Sequence, residues 1–187
     1  MQTTFKVGIF IIASAALVRV SREALRSFRY HGFYRFFAWE ALLILVLMNL
    51  DIKHWIYKPS GLRQITAESF VAVSLLLAID GFHLLRKAGK PDNGRTDPTL
   101  LWIEKTTVLV TVGAYKYIRH PLITSLLSLT WGVFFKAPSW TAGVLAAIVT
   151  FNLIVAAKVE EIENMKYFGA PYGDYMRRTK MFIPFVI

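Results

Sequence analysis

Residues 121–157 read PLITSLLSLTWGVFFKAPSWTAGVLAAIVTFNLIVAA, and Lys136 is the one charged residue in the run. Two apolar stretches, 121–135 and 140–157, are separated only by Lys136-Ala137-Pro138-Ser139. A helix crossing the hydrocarbon core of a bilayer needs about 20 mostly apolar residues, within a range near 17–25. The second stretch reaches that range and the first falls short. The pair therefore reads as a tight helical hairpin in a membrane, with a tilted or re-entrant arrangement also open.

Three more apolar stretches precede the hairpin, at 5–20, 33–50 and 69–85. The first has only Lys6 at its start and arginines from Arg19 onward at its end, a poor pattern for a cleaved signal, so it reads as a retained span. The expectation is an all-α polytopic membrane bundle of about five spans. Composition agrees. Of the 187 residues 55% are hydrophobic and 18% charged, whereas soluble domains carry about 25% charge. No cysteine is present, which excludes disulfides and thiolate metal sites.

The net charge of +10 favours loops facing anionic lipid over a nucleic-acid partner in a chain this apolar. Basic residues cluster in the first connection (Arg19, Arg22, Arg26, Arg29, Arg35), the third (Arg86, Lys87, Lys90, Arg95, Lys105, Lys116, Arg119) and the tail (Lys158, Lys166, Arg177, Arg178, Lys180). The other side receives Lys6, Lys53, Lys58, Arg63 and Lys136. Cytoplasmic loops carry the excess of Lys and Arg. The N-terminus is thus expected outside and the C-terminus in the cytoplasm, consistent with five spans. Residues 1–187 form one integral membrane domain: three spans in 1–86, a cytoplasmic loop at 87–120, the hairpin at 121–157, and a cytoplasmic tail at 158–187. Within the loop, Lys87 to Pro98 is rich in turn formers. In the tail, the helical rhythm of 158–167 breaks at Phe168-Gly169-Ala170-Pro171. A short amphipathic surface helix follows at 172–180, and 182–187 forms an apolar end.

Two polar clusters fall on the cytoplasmic side. Tyr115-Lys116-Tyr117-Ile118-Arg119-His120-Pro121 leads into the fourth span. Proline suits a first helical turn, and a helix N-terminus attracts anionic groups. Interfacial anchoring alone would also explain these residues. Glu160-Glu161, with Glu163, follows the last span and opposes the basic trend. These carboxylates suit a cationic ligand, or they pair with Lys158, Lys166 or Arg119. Glu40, Asp80, His83 and Asn152 lie inside spans, where polar groups face a bundle interior or a cavity. Asp80 and His83 share a helix face but are too sparse for a zinc site. No phosphate-binding glycine loop, G-x-S-x-G elbow or H-E-x-x-H is present, and no alternating strand–helix pattern appears.

Taken together, Gly113 to Pro121, Glu160-Glu161, Phe168-Gly169 with Tyr172 and Tyr175, and Ile183-Pro184 resemble the isoprenylcysteine carboxyl methyltransferase family, which is related to the membrane phospholipid methyltransferases. The resemblance covers roughly residue 106 to the C-terminus. It implies S-adenosyl-L-methionine as cofactor. It places Thr107, Val108, Leu109 and Val110 along the cofactor through backbone groups, with Tyr115, His120 and Pro121 in contact. Glu160 would hold the cofactor amino group, Glu161 would complete the pair, and Tyr172 and Tyr175 would form a lid. His120, Glu160 and Arg119 are the candidate catalytic groups, and no metal is implied. Two positions depart from the family pattern. Ile123 stands where RHPxY has tyrosine, and Ala156 stands where prenylcysteine enzymes have an arginine associated with the substrate carboxylate.

The expected activity is methyl transfer to a lipophilic or lipidated acceptor reached from the bilayer. The membrane is the cytoplasmic one if the source is prokaryotic and the endoplasmic reticulum if eukaryotic. An NADPH-dependent membrane reductase of sterol type and a non-catalytic membrane adaptor are the competing readings. The acceptor and the oligomeric state are open at this stage.

Overall fold

The structure is a computed structural model and describes residues 2–50, 61–92, 95, 97 and 99–186. Lys53 and Lys58 of the charge pattern, Asn93, Gly94, Thr96 and Pro98 of the turn-rich loop, and Ile187 of the apolar end lie outside them. Among the described residues six α-helices follow one another. They are α1 (Gln2–Ser21), α2 (His31–Asn49), α3 (Leu62–Lys87), α4 (Pro121–Lys136), α5 (Trp140–Phe168) and α6 (Ala170–Arg178). No strand occurs among these residues; isolated bridges join Pro91 to Thr106 and Ile118 to Lys180.

Helices α1, α2, α3 and α5 are long and apolar enough to cross a membrane, and α4 is a shorter apolar helix. The protein is an integral membrane protein. Phe5, Ile11 and Ile12 of α1 and Leu75, Leu76 and Ile79 of α3 point outward. Apolar area left in water costs about 25 cal/mol per Å², so these faces belong in hydrocarbon.

Between helices the packing relies on small residues, because lipid supplies no hydrophobic drive and close backbone approach must substitute. Ala38, Ala41, Leu42 and Leu45 of α2 meet Ala142, Ala146, Val149 and Leu153 of α5, with Val133 of α4 filling the same core. Against α3, α4 presents Gly132. A Cβ there would lie 2.9 Å from Val71 Cγ2 and 3.2 Å from the Ala67 carbonyl oxygen. The hairpin turns as expected. Helix α4 ends at Lys136, and Ser139 Oγ caps α5 by accepting from the Ala142 N–H at 3.1 Å.

Two helices are longer than their apolar stretches. Helix α3 starts at Leu62 rather than at 69. Its polar first turns are held by Gln64 Nε2 donating to Glu68 Oε1 at 2.6 Å and by Lys136 Nζ, 3.1 Å from the same oxygen. Helix α5 runs to Phe168, so residues 158–168 form a polar extension beyond its apolar part. Gly169, at φ +63°, then reverses the chain into α6.

The in-span polar residues divide. Glu40 Oε2 accepts from Ser14 Oγ at 2.7 Å, a bundle contact between α1 and α2. Asp80 Oδ2 accepts from the Ala114 N–H at 3.1 Å and so braces the loop before α4. His83 is exposed. Asn152 Nδ2 donates to the Ile148 carbonyl of its own helix at 2.9 Å, so it reaches no partner in the bundle interior.

After α6 the chain returns to the loop that precedes α4. The Lys180 N–H donates to the Tyr117 carbonyl at 3.0 Å, and the Arg119 N–H donates to the Lys180 carbonyl at 2.8 Å. This strap fixes the backbone on which Arg119 and His120 stand. The expected short amphipathic helix at 172–180 falls on α6, which spans Ala170–Arg178. Its Tyr172 and Tyr175 are buried against the rest of the protein.

Candidate functional site

Pro121 opens α4, its missing N–H falling where no partner is needed. His120 is thereby set at the helix cap, 4% exposed, with its ring toward the polar extension of α5. His120 Nδ1 lies 3.3 Å from Glu160 Oε2, and His120 Nε2 lies 3.4 Å from Glu161 Oε1. One imidazole thus bridges two adjacent carboxylates. Burial disfavours the charged ring, but Glu160 and Glu161 together outweigh it and hold the His120 pKa above its ordinary value. Burial likewise raises the Glu160 carboxyl, and His120 reverses that to leave it below the ordinary carboxylate range.

Arg119 works from the other side. Its Nε donates to Glu161 Oε1 at 2.5 Å, and its Nη1 donates to the carbonyls of Met176 and Thr179 at the end of α6. Glu161 is thus committed to Arg119, whereas the Glu160 side chain keeps 28% exposure.

Beside this pair lies a cavity of about 170 Å³. Leu109, Val110, Tyr115, Arg119, His120, Glu160, Tyr172 and Tyr175 line it. Thr107, Val108, Pro121 and Glu161 are not on its wall. Thr107 instead turns its N–H to the Gly89 carbonyl and its hydroxyl to that of Lys90. Tyr175 Oη donates to the Tyr115 carbonyl at 2.7 Å, tying α6 to the loop. Burial pushes the hydroxyls of Tyr115, Tyr172 and Tyr175 above their ordinary range, so they remain protonated donors. Ile123, Leu122, Leu126, Leu153 and Ala156 make the floor apolar.

A second polar group closes the far wall. His31 begins α2, and its Nδ1 lies 2.6 Å from Glu163 Oε2. Its backbone N–H donates to Glu163 Oε1 at 3.0 Å. Arg35, one turn on, pairs through Nη1 with the Glu104 carboxylate. Arg95 donates to Asn164 Oδ1 at 3.1 Å and lies over the Tyr167 ring at 4.3 Å. Among the described residues no group of three or more acidic or histidine side chains could hold a metal ion.

An acidic pair bridged by a buried histidine, set at a helix start over an apolar floor, coincides with a wider likeness. A family model described as phospholipid methyltransferase matches residues 62–171, more than half of the chain. The chain belongs to that family. Methanethiol S-methyltransferase 2 of Bradyrhizobium diazoefficiens is 40% identical over 72 residues, 37% of this chain and 26% of that protein. Methanethiol S-methyltransferase of Crocosphaera subtropica is 33% identical over 74 residues, 38% of this chain and 28% of that one. Protein-S-isoprenylcysteine O-methyltransferase of Mus musculus is 31% identical over 128 residues, 67% of this chain and 44% of that protein. The chain thus spans less than half the length of each of these relatives. No solved structure matches.

The phospholipid methyltransferase match includes Glu104, Tyr115, His120 and Glu160 but not His31, Arg35, Trp39, Tyr172 or Tyr175, all of which line the cavity. Sequence reasoning missed His31, Arg35, Glu104 and Asn164. The one signal was the spacing of His31 and Arg35, four apart and therefore on one helix face at a span start. Glu104 meets Arg35 and His31 from 69 and 73 positions away in sequence, a pairing that no local pattern marks.

Proposed function

We propose that this chain is an S-adenosyl-L-methionine-dependent methyltransferase acting on a lipid-like acceptor that reaches the cavity from the bilayer. The observation that carries the reading is the His120–Glu160 pair on the wall of a cavity with an apolar floor, in a member of this family. The donor set fits the cofactor. A partly exposed carboxylate and three buried aromatic side chains suit a ligand that is cationic at both sulfur and amine.

When bound, S-adenosyl-L-methionine supplies an electrophilic methyl on a sulfonium. Transfer to an acceptor is an in-line displacement and depends chiefly on alignment. Glu160 binds the cationic ligand, and His120 fixes the Glu160 rotamer. Arg119 positions Glu161 and the α6 end, so its role is positioning rather than contact with the reacting atoms. Tyr172 and Tyr175 cover the site and exclude water. Leu122, Ile123, Leu126 and Leu153 receive the acceptor chain. For an acceptor that carries a proton, Glu160 is the base, because Glu161 is engaged by Arg119.

The topology belongs to the same proposal. Five spans, with α4 as the short fourth and the N-terminus outside, place the 87–120 loop and the 158–187 tail together in the cytoplasm, where the cofactor is found. Incubating the purified protein with methyl-labelled S-adenosyl-L-methionine and a membrane lipid extract tests lateral entry. Label should partition into organic solvent. Equal transfer to water-soluble acceptors would overturn entry from the bilayer.

A further inference from the structure

Arg35 is 6% exposed, yet its Nε and Nη2 have no hydrogen-bond partner. A guanidinium keeps its charge under all physiological conditions, so neutralisation cannot relieve the deficit. Its Nη1 pairs with Glu104 and lies 3.1 Å from His31 Nε2. The plane of the group lies over Trp39, with Cζ 4.9 Å from the ring centroid. Glu104 does not reach the free edge. Its second oxygen accepts from the Leu101 N–H at 2.8 Å and lies 3.4 Å from His31 Nε2. Arg35 and Trp39 both line the cavity, as Glu160 does from α5.

The Nε–Nη2 edge is the fork that receives both oxygens of one carboxylate. From this geometry we infer that Arg35 is the carboxylate-binding group of the cavity. The inference rests on the methyltransferase reading for the identity of its ligands. Arg35 lies on α2, outside the matched 62–171 segment. The carboxylate has two possible sources: the amino-acid end of S-adenosyl-L-methionine, or an acidic acceptor.

Titration calorimetry on the full chain in detergent separates them. The probes are S-adenosyl-L-methionine against its decarboxylated form, and palmitate against hexadecanol. The variant is Arg35→Lys, which keeps a charge beside Glu104 but loses the planar fork. If the cofactor supplies the carboxylate, the wild type prefers S-adenosyl-L-methionine over the decarboxylated form by about tenfold or more, and Arg35→Lys erases the preference. If the acceptor supplies it, the same loss appears between palmitate and hexadecanol. The wild-type comparisons stand even if the variant fails to fold. Absence of both preferences in the wild type, or their survival in a folded Arg35→Lys, overturns the proposal. Failure of the intact protein to bind either form of the cofactor would instead count against the methyltransferase reading, and the palmitate comparison would still decide the role of Arg35.

Discussion

Arg119 Nε lies 2.5 Å from Glu161 Oε1, joining the loop before α4 to the polar extension of α5 across 42 positions of sequence. Both side chains are nearly buried, at 10% and 11% exposure. Removing one partner of a buried ion pair leaves an uncompensated charge and costs roughly 3–5 kcal/mol. Glu161→Leu and Arg119→Met should each lower the unfolding midpoint in detergent markedly. The double variant should be less destabilised than the sum of the two, read by a double-mutant cycle.

The apolar runs were legible because the bilayer demands length and little else. The expected spans fall on α1 to α5, and the break at Phe168 to Pro171 falls on the α5–α6 turn. The helix ends were less so. Polar first turns of α3 are held by Glu68 with Lys136, a tertiary contact that no local pattern announces. The site divides the same way. His120, Glu160 and the tyrosines stood out as ordered motifs, while His31 and Arg35 meet partners 132 and 69 residues away and read from sequence as ordinary span-end polar residues.

Stability should depend on pH through the same cluster. His120 is held above its ordinary value of 6.5, so its contribution is full below that pH and is lost as pH rises through the folded value. Glu160 and Glu161 are held below 4.5, so theirs is present above that pH and lost as pH falls through their folded values. The melting temperature should peak between pH 4.5 and 6.5 and fall on the alkaline side. In His120→Gln the alkaline decline should flatten.

Gly132 tests the helix packing. Gly132→Ala places a methyl against the backbone of α3 and should cost about 1–3 kcal/mol, seen as a lower thermal midpoint. Gly8→Ala on α1 meets nothing within 4 Å and should be neutral or slightly stabilising.

Tyr175→Phe removes the hydroxyl that ties α6 to the Tyr115 carbonyl. Loss of such a bond, with a buried acceptor left behind, costs about 1–3 kcal/mol. Under the proposed function the consequence should be a raised KM for S-adenosyl-L-methionine with kcat changed much less, because the tyrosine covers the cofactor without touching the acceptor.

The most direct measurement is calorimetric titration of the detergent-purified protein with S-adenosyl-L-methionine and S-adenosylhomocysteine, beside Glu160→Ala. Micromolar binding by the wild type, lost in a variant that still melts cooperatively, is the expected result. A folded wild type that binds neither ligand, or that binds NADPH in their place, would contradict the assignment of this cavity to a methyl donor.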